Sequence, residues 1–168
     1  MTWSPPLARG TKRGYEAVKT SDFLKIVVAA AGRGDLEAVR EFTEDNPNWI
    51  HTIGSHGRTM LWEAAYRGKK EVVKFLVERG ADVSTPGCHP RQHAVEISPY
   101  CVAKYEGREV VADYLLASGA EIDIHSAAYL GDYDTVLSHL EADVSLVDDF
   151  IPNTIRTIPC GRPRSAMP

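Results

Sequence analysis

The sequence is poor in the features that mark membrane, secreted and nucleic-acid-binding proteins. Its longest uninterrupted apolar run, residues 26–31, is far too short to span a bilayer. The N-terminus lacks the apolar core of a signal peptide, and no Asn-x-Ser/Thr acceptor occurs. Cysteine is scarce. Three residues, an odd number in a chain of normal apolar content, fit a reducing compartment better than a disulfide framework. There is no basic excess: the formal net charge is −4 and the pI near 5.9, which argues against nucleic acid as a partner. Catalytic signatures are missing too, with no phosphate-binding Gly-rich loop followed by Lys-Ser/Thr, no His-Glu-x-x-His and no Gly-x-Ser-x-Gly. A cytoplasmic protein that is not an enzyme, with no cofactor and no nucleic-acid or membrane partner, is expected.

What remains is an ordinary globular composition, 43% hydrophobic and 25% charged over 168 residues, enough for one domain with a sizeable core. It is punctuated by glycine. In "GRTMLWEAAYRGKKEVVKFLVERGADV", which begins at Gly57, Thr59 can cap a helix whose apolar face is Leu61, Ala64 and Ala65, and Gly68 ends it. A second apolar set follows at Val72, Val73, Leu76 and Val77 until Gly80. Two short helices with a Gly-marked turn make an antiparallel pair. Neither is long enough to hold together alone in water, so the pair must stack on something.

The rest of the chain supplies the neighbours. Gly34, Gly68, Gly107 and Gly131 mark the same turn at intervals of 34, 39 and 24 residues. Ala30, Ala64, Ala103 and Ala127 lie four residues upstream of them, and Phe42, Leu76, Leu115 and His139 eight downstream. Gly80 and Gly119 sit twelve beyond their glycines, with Asn46 and Asp143 in the same slot, where a left-handed residue is expected to close each helix. Four units of two helices are predicted, hence an all-α stack.

The register resembles the ankyrin repeat, a 33-residue unit of a turn and two helices that opens Thr-Pro-Leu-His-x-Ala. The match is strongest in "GRTMLWEAAYRG" and "EVVKFLVERGADV", where Met60 and Trp62 replace the Pro and His of the pattern. Ser98-Pro99-Tyr100-Cys101 stands at the third opening, and only His125 retains the motif in the fourth. The resemblance implies an α-solenoid over residues 21–148, with repeats at about 21–53, 57–85, 98–122 and 123–148. The third interval leaves no room for a hairpin finger between Gly119 and His125. The second is six residues longer than the family period, and its surplus falls in residues 84–97, read as an extended polar loop dispensable for folding. Residues 1–20 read as a flexible arm and 149–168 as an irregular tail. In that tail Gly161-Arg162 echoes Gly57-Arg58, as though an array were cut short.

Candidate sites follow from register. Arg33-Gly34-Asp35 spells an adhesion tripeptide, but the repeat already explains Gly34, and Asp35 is placed to start the next helix. Cys88, His89, His93 and Cys101 are zinc-type ligands without the tight Cys-x-x-Cys pairing of a reliable site, so a polar loop is favoured over a metal. Cys101 occupies the His slot of the opening motif, where a small apolar residue packs between repeats. Arg67, Lys69, Lys70, Lys74 and Arg79 concentrate positive charge in the second unit, interleaved with Glu63, Glu71 and Glu78. A solvated helix surface is the first reading and an acidic protein partner the alternative.

Two residues before the glycine stand Tyr66, Tyr105 and Tyr129, with Gly32 in the first unit. In the ankyrin pattern that slot faces the concave groove, so the resemblance implies a tyrosine ladder for a protein partner, bordered by Arg67 and Glu106 and by His56 and Arg58 of the preceding finger. The alternative is that the rings only pad the stack. The expected function is therefore a protein-interaction module. The rivals are a metal-dependent regulator or enzyme built on the Cys/His loop and a structural segment of a longer chain.

Overall fold

The computed structural model describes residues 20–143. The arm and tail expected at 1–20 and 149–168 therefore fall outside the described residues, except for Thr20. Eight α-helices run in four pairs: α1 (Thr20–Arg33) with α2 (Leu36–Asp45), α3 (Met60–Tyr66) with α4 (Lys70–Glu78), α5 (Pro99–Tyr105) with α6 (Glu109–Ala117), and α7 (Ile124–Leu130) with α8 (Tyr133–Ala142). Among the described residues no helix is long and apolar enough to cross a membrane.

Five of the helices begin where the sequence supplies a side-chain acceptor for their unpaired N–H groups, among them α8, capped by Asp132. Thr59, Ser98 and Asp123 cap α3, α5 and α7 by accepting from the backbone N–H of Trp62, Cys101 and Ser126, and Asp35 caps α2 through Ala38. Asp35 thus has the structural role expected of it. The turn glycines Gly34, Gly68, Gly107 and Gly131 have φ of 82°, 68°, 69° and 73°, a region that costs other residues more. Gly80 and Gly119 are also left-handed, but Asn46 and Asp143 are not: both are extended, at φ −150° and −147°. Asn46 instead accepts from Asn48 N–H to start a short 3-10 turn, Pro47–His51, which buries Trp49 and Ile50. An asparagine side chain that can bond its own backbone has an alternative to the left-handed conformation.

The first helices of successive pairs pack closely, α1 on α3, α3 on α5 and α5 on α7, and the second helices pack more loosely. Alanine explains the difference. Ala30, Ala64, Ala103 and Ala127 are fully buried where first helices meet, so backbones can approach, while the second helices meet through Val39, Val72, Leu76, Val111 and Leu115. A stack drawn tighter along one row bends towards that row.

Successive units are also tied by hydrogen bonds from the slot the family gives to His. Trp62 Nε1–H donates to the carbonyl of Ile97, just ahead of the third unit, at 2.8 Å, and Cys101 Sγ lies 3.9 Å from the carbonyl of Ser126 in the fourth. Ser126 Oγ meets Ser98 Oγ at 3.4 Å. In the fourth unit this buried junction belongs to Ser126, while His125, expected to keep the motif, is exposed. His139, in the slot of a core leucine, donates Nε2–H to the carbonyl of Ile122 at 2.8 Å.

Residues 84–97 depart most from expectation. They contain an antiparallel hairpin, β1 (Gly87–His89) with β2 (Gln92–Ile97), whose register shifts between Cys88 and His89. Cys88, His89 and Ile97 are buried, so this is packed structure and not an extended polar loop. At Gly87 there is room only for backbone above the side chains it rests on. A Cβ on Gly87 would lie 3.1 Å from both Arg58 Cγ and Trp62 Cδ1.

The close alanine row sets a test. Replacing Ala64 by Leu should destabilise the chain by about 1–3 kcal/mol through overpacking, read as a lower denaturant midpoint with the helical circular dichroism retained. A neutral result would mean that the first helices do not meet through their alanines.

Candidate interaction surface

The strip on the first-helix side is built from rings and charges that the repeat brings into line. Tyr66, Tyr105 and Tyr129 occupy equivalent positions at the C-terminal ends of α3, α5 and α7, but they do not form a simple ladder. His89 from the hairpin is inserted between the first two. Its ring lies 5.9 Å from Tyr66 and 5.4 Å from Tyr105, edge-on to both, and Tyr105 lies 5.0 Å from Tyr129. Trp62 extends the series at the other end, stacked on Tyr66 at 5.7 Å. Edge-to-face and offset stacks are the arrangements that ring quadrupoles favour.

His89 is fully buried and held at both nitrogens. Nδ1 accepts from the N–H of Arg91 at 3.3 Å, which leaves Nε2–H to donate to Glu106 Oε1 at 3.1 Å. Glu106, named from sequence as a flanking charge, thus anchors the hairpin to α5. Arg58 and Arg67 are also engaged. Arg58 Nε–H donates to the carbonyl of Cys88 at 2.8 Å, and its Nη1 lies 3.4 Å from Glu63 Oε2. Arg67 Nε–H meets the other oxygen, Glu63 Oε1, at 3.3 Å. Their guanidinium groups lie over the Trp62 and Tyr66 rings at 5.0 and 4.9 Å. Glu63, whose side chain is only 11% exposed, is the shared carboxylate of this clamp. Sequence treated Glu63 as part of a solvated face; its place four residues before Arg67 was the available signal.

The tyrosines are unequally exposed. Tyr66 is 9% exposed and part of the core, Tyr105 is 45% exposed, and Tyr129 lies between them. His89 and Arg67 pack against the Tyr66 ring. Burial, with Tyr105 beside it, pushes the Tyr129 phenol up to about 12. His56 is exposed on the finger before α3, in the left-handed conformation at φ 63°.

The zinc-type set does not assemble. Among the described residues no group of three His, Cys, Asp or Glu side chains is placed to hold a metal. His89 is committed to Arg91 and Glu106, His93 falls on β2, and Cys101 is a buried free thiol, packed between repeats as expected. Burial pushes that thiol up to about 12. Cys88 is fully buried on β1.

A solenoid of helix pairs with left-handed glycines in its turns and small residues in its tight row defines a stacked-repeat fold. Residues 13–87 match the family model described as ankyrin repeats (3 copies). The chain is 36% identical over 91 residues to protein phosphatase 1 regulatory subunit 27 from Homo sapiens, covering 54% of this chain and 55% of that protein. It is 28% identical over 115 residues to ankyrin repeat and SAM domain-containing protein 6 from Rattus norvegicus, covering 68% of this chain and 12% of that protein. The chain thus spans about half the length of one relative and a small fraction of the other. Among solved structures, it is similar to a chain in the Bd0816 predatory endopeptidase from Bdellovibrio bacteriovorus in complex with immunity protein Bd3460. That likeness has a TM-score of 0.53 at 24% identity and covers 74% of this chain and 66% of that one.

Replacing His89 by Ala should cost about 2 kcal/mol or more, since it empties a fully buried site and leaves the Arg91 N–H without its acceptor. A thermal melt compared with wild type checks this. An unchanged midpoint would return the hairpin to the status of a dispensable loop. Cys101 gives a second readout. The folded state keeps its thiol protonated up to about pH 12, whereas the unfolded chain ionises it in the ordinary thiol range. The stability it contributes is therefore present below that range and is lost as pH rises through it towards 12. At neutral pH, iodoacetamide should modify Cys101 only as denaturant unfolds the chain, followed by mass spectrometry of the peptide that carries it.

Proposed function

We propose that the repeat domain, residues 21–148, is a non-catalytic module that binds a protein partner on the tyrosine side of the stack. Ankyrin repeats generally mediate protein–protein interaction, and the observation that supports this particular face is the aromatic strip. Tyr105 keeps nearly half its surface open while its ring is held against His89 and Tyr129. A fixed aromatic ring with an open face, bordered by charges, has the composition of an interface centre inside a polar rim. The structural roles of Arg58 and Glu106 do not remove them from this surface; they orient it. The name of the human relative, a phosphatase regulatory subunit, supports a regulatory protein partner for this chain without identifying it. The proposed location is the cytoplasm, from composition alone.

Two surfaces of one domain then behave differently. Partners captured from the native source and identified by mass spectrometry supply the ligand for a titration. Tyr105→Ala and Tyr129→Ala should each weaken its binding by about 2 kcal/mol or more if they are anchors, with small losses of melting temperature. Tyr66→Ala should lose stability as well, because Tyr66 is core. The outer-helix pair Lys74 and Glu78, 3.9 Å apart and exposed, should accept alanine with little effect on either property. Full affinity in both the Tyr105 and Tyr129 variants would make the strip packing and nothing more.

A further inference from the structure

The tyrosine column has one gap, and the gap is charged. In the first unit the slot belongs to Gly32, and no side chain fits there: a Cβ on Gly32 would lie 2.8 Å from Glu63 Cγ, an atom fixed by the two-arginine clamp. Where the other units present a ring, an open depression of about 400 Å³ remains, lined by Ala29, Gly32, Arg33, Glu63, Arg67 and Lys69. Three cations face one carboxylate there. That carboxylate is already shared between Arg58 and Arg67, so the lining has a local excess of positive charge in a chain whose net charge is −4.

The cations are available. Arg33 and Lys69 form no ion pair with any described residue, and the Lys69 stem rests beside Gly34, where a Cβ would lie 3.0 Å from Lys69 Cδ. Arg67 is partly satisfied and already oriented. Its Nε–H is bound to Glu63 and its guanidinium lies over Tyr66, yet the side chain is 56% exposed. Its guanidinium thus keeps exposed surface while Glu63 and Tyr66 hold it in place. A planar fork held this way suits a carboxylate, which can accept two parallel N–H bonds.

We infer that the Gly32 depression receives an acidic side chain, Asp or Glu, of a peptide segment whose apolar residue rests on Tyr105 and Tyr129. This rests on the partner-binding reading above and adds to it the charge of the partner and the place where that charge sits. Charge complementarity selects the occupant. A nucleic acid would need an extended basic surface, whereas this chain is acidic overall and, of its four repeats, only the second has a basic excess. The basic concentration of the second unit thus divides in two: Lys74 pairs with Glu78 and Arg79 lies over Phe75, while Arg67 and Lys69 turn to the depression.

The test uses the full chain as bait for a phage-displayed library of random linear peptides, with the enriched sequences resynthesised and titrated calorimetrically. Enriched peptides should carry Asp or Glu at a fixed spacing from an apolar residue. Arg33→Gln combined with Lys69→Met, which keeps the lysine stem, should lower their affinity about tenfold or more, as expected for charge-assisted hydrogen bonds to a carboxylate, at unchanged melting temperature. Changing the peptide's acidic residue to Asn or Gln should lower affinity similarly and abolish the effect of the double variant. If enriched peptides lack an acidic preference but lose affinity in Tyr105→Ala and Tyr129→Ala, the acidic subsite is overturned and the partner-binding face stands. Peptides indifferent to both sets of variants, or no enrichment, would overturn both. A fluorescein-labelled single-stranded oligonucleotide that binds more tightly than the peptides, and loses that binding in the double variant, would overturn the choice of a carboxylate ligand.

Discussion

No helix pair in this chain can bury its own apolar face, and that constraint organises everything else. Helices of seven to fourteen residues are marginal alone in water, so each pair depends on contact with the next. Contact of first helix on first helix requires small side chains, which accounts for the alanine row. It also brings the ends of α3, α5 and α7 into register, and there the chain places its tyrosines. The surface proposed to bind is a by-product of the packing that lets the fold exist.

Much of this could be read before any coordinates. The turn glycines, the alanines four residues upstream and the caps at Thr59, Ser98 and Asp35 are local signals, because helix termination and capping need particular residues at particular offsets. What escaped was set by tertiary contact. Residues 84–97 carry proline, glycine and histidine and look like a solvated loop, but Trp62 and Arg58 beneath them supply a hydrogen-bonding floor that turns the segment into a buried hairpin. Asn46 and Asp143 shared a slot with left-handed glycines, yet each is extended; in Asn46 the amide bonds to the backbone two residues on.

The tyrosine column shows the same division within one site. Its alignment was legible because register is additive along a repeat. Its unequal burial was not, since burial depends on what comes across the gap from another segment. His89 enters between Tyr66 and Tyr105 from 16 residues before Tyr105 in sequence, and nothing in the period announces it. Glu63 was similarly hidden: charged residues interleaved along a helix read as solvated, and only the fold brings Arg58 to its second oxygen.

The insertion of His89 has a consequence for the thermodynamics of association. Its imidazole is bonded at both nitrogens and touches both neighbouring rings edge-on, so the rings around it start with few rotamers to surrender. Immobilising a freely rotating side chain on binding costs about 0.5–1.5 kcal/mol. A surface whose rings are already locked by their neighbours avoids much of that loss, leaving the entropy of complex formation to be borne mainly by the other molecule. Affinity at such a surface would be governed less by how well this chain adapts than by how much order the incoming segment must acquire.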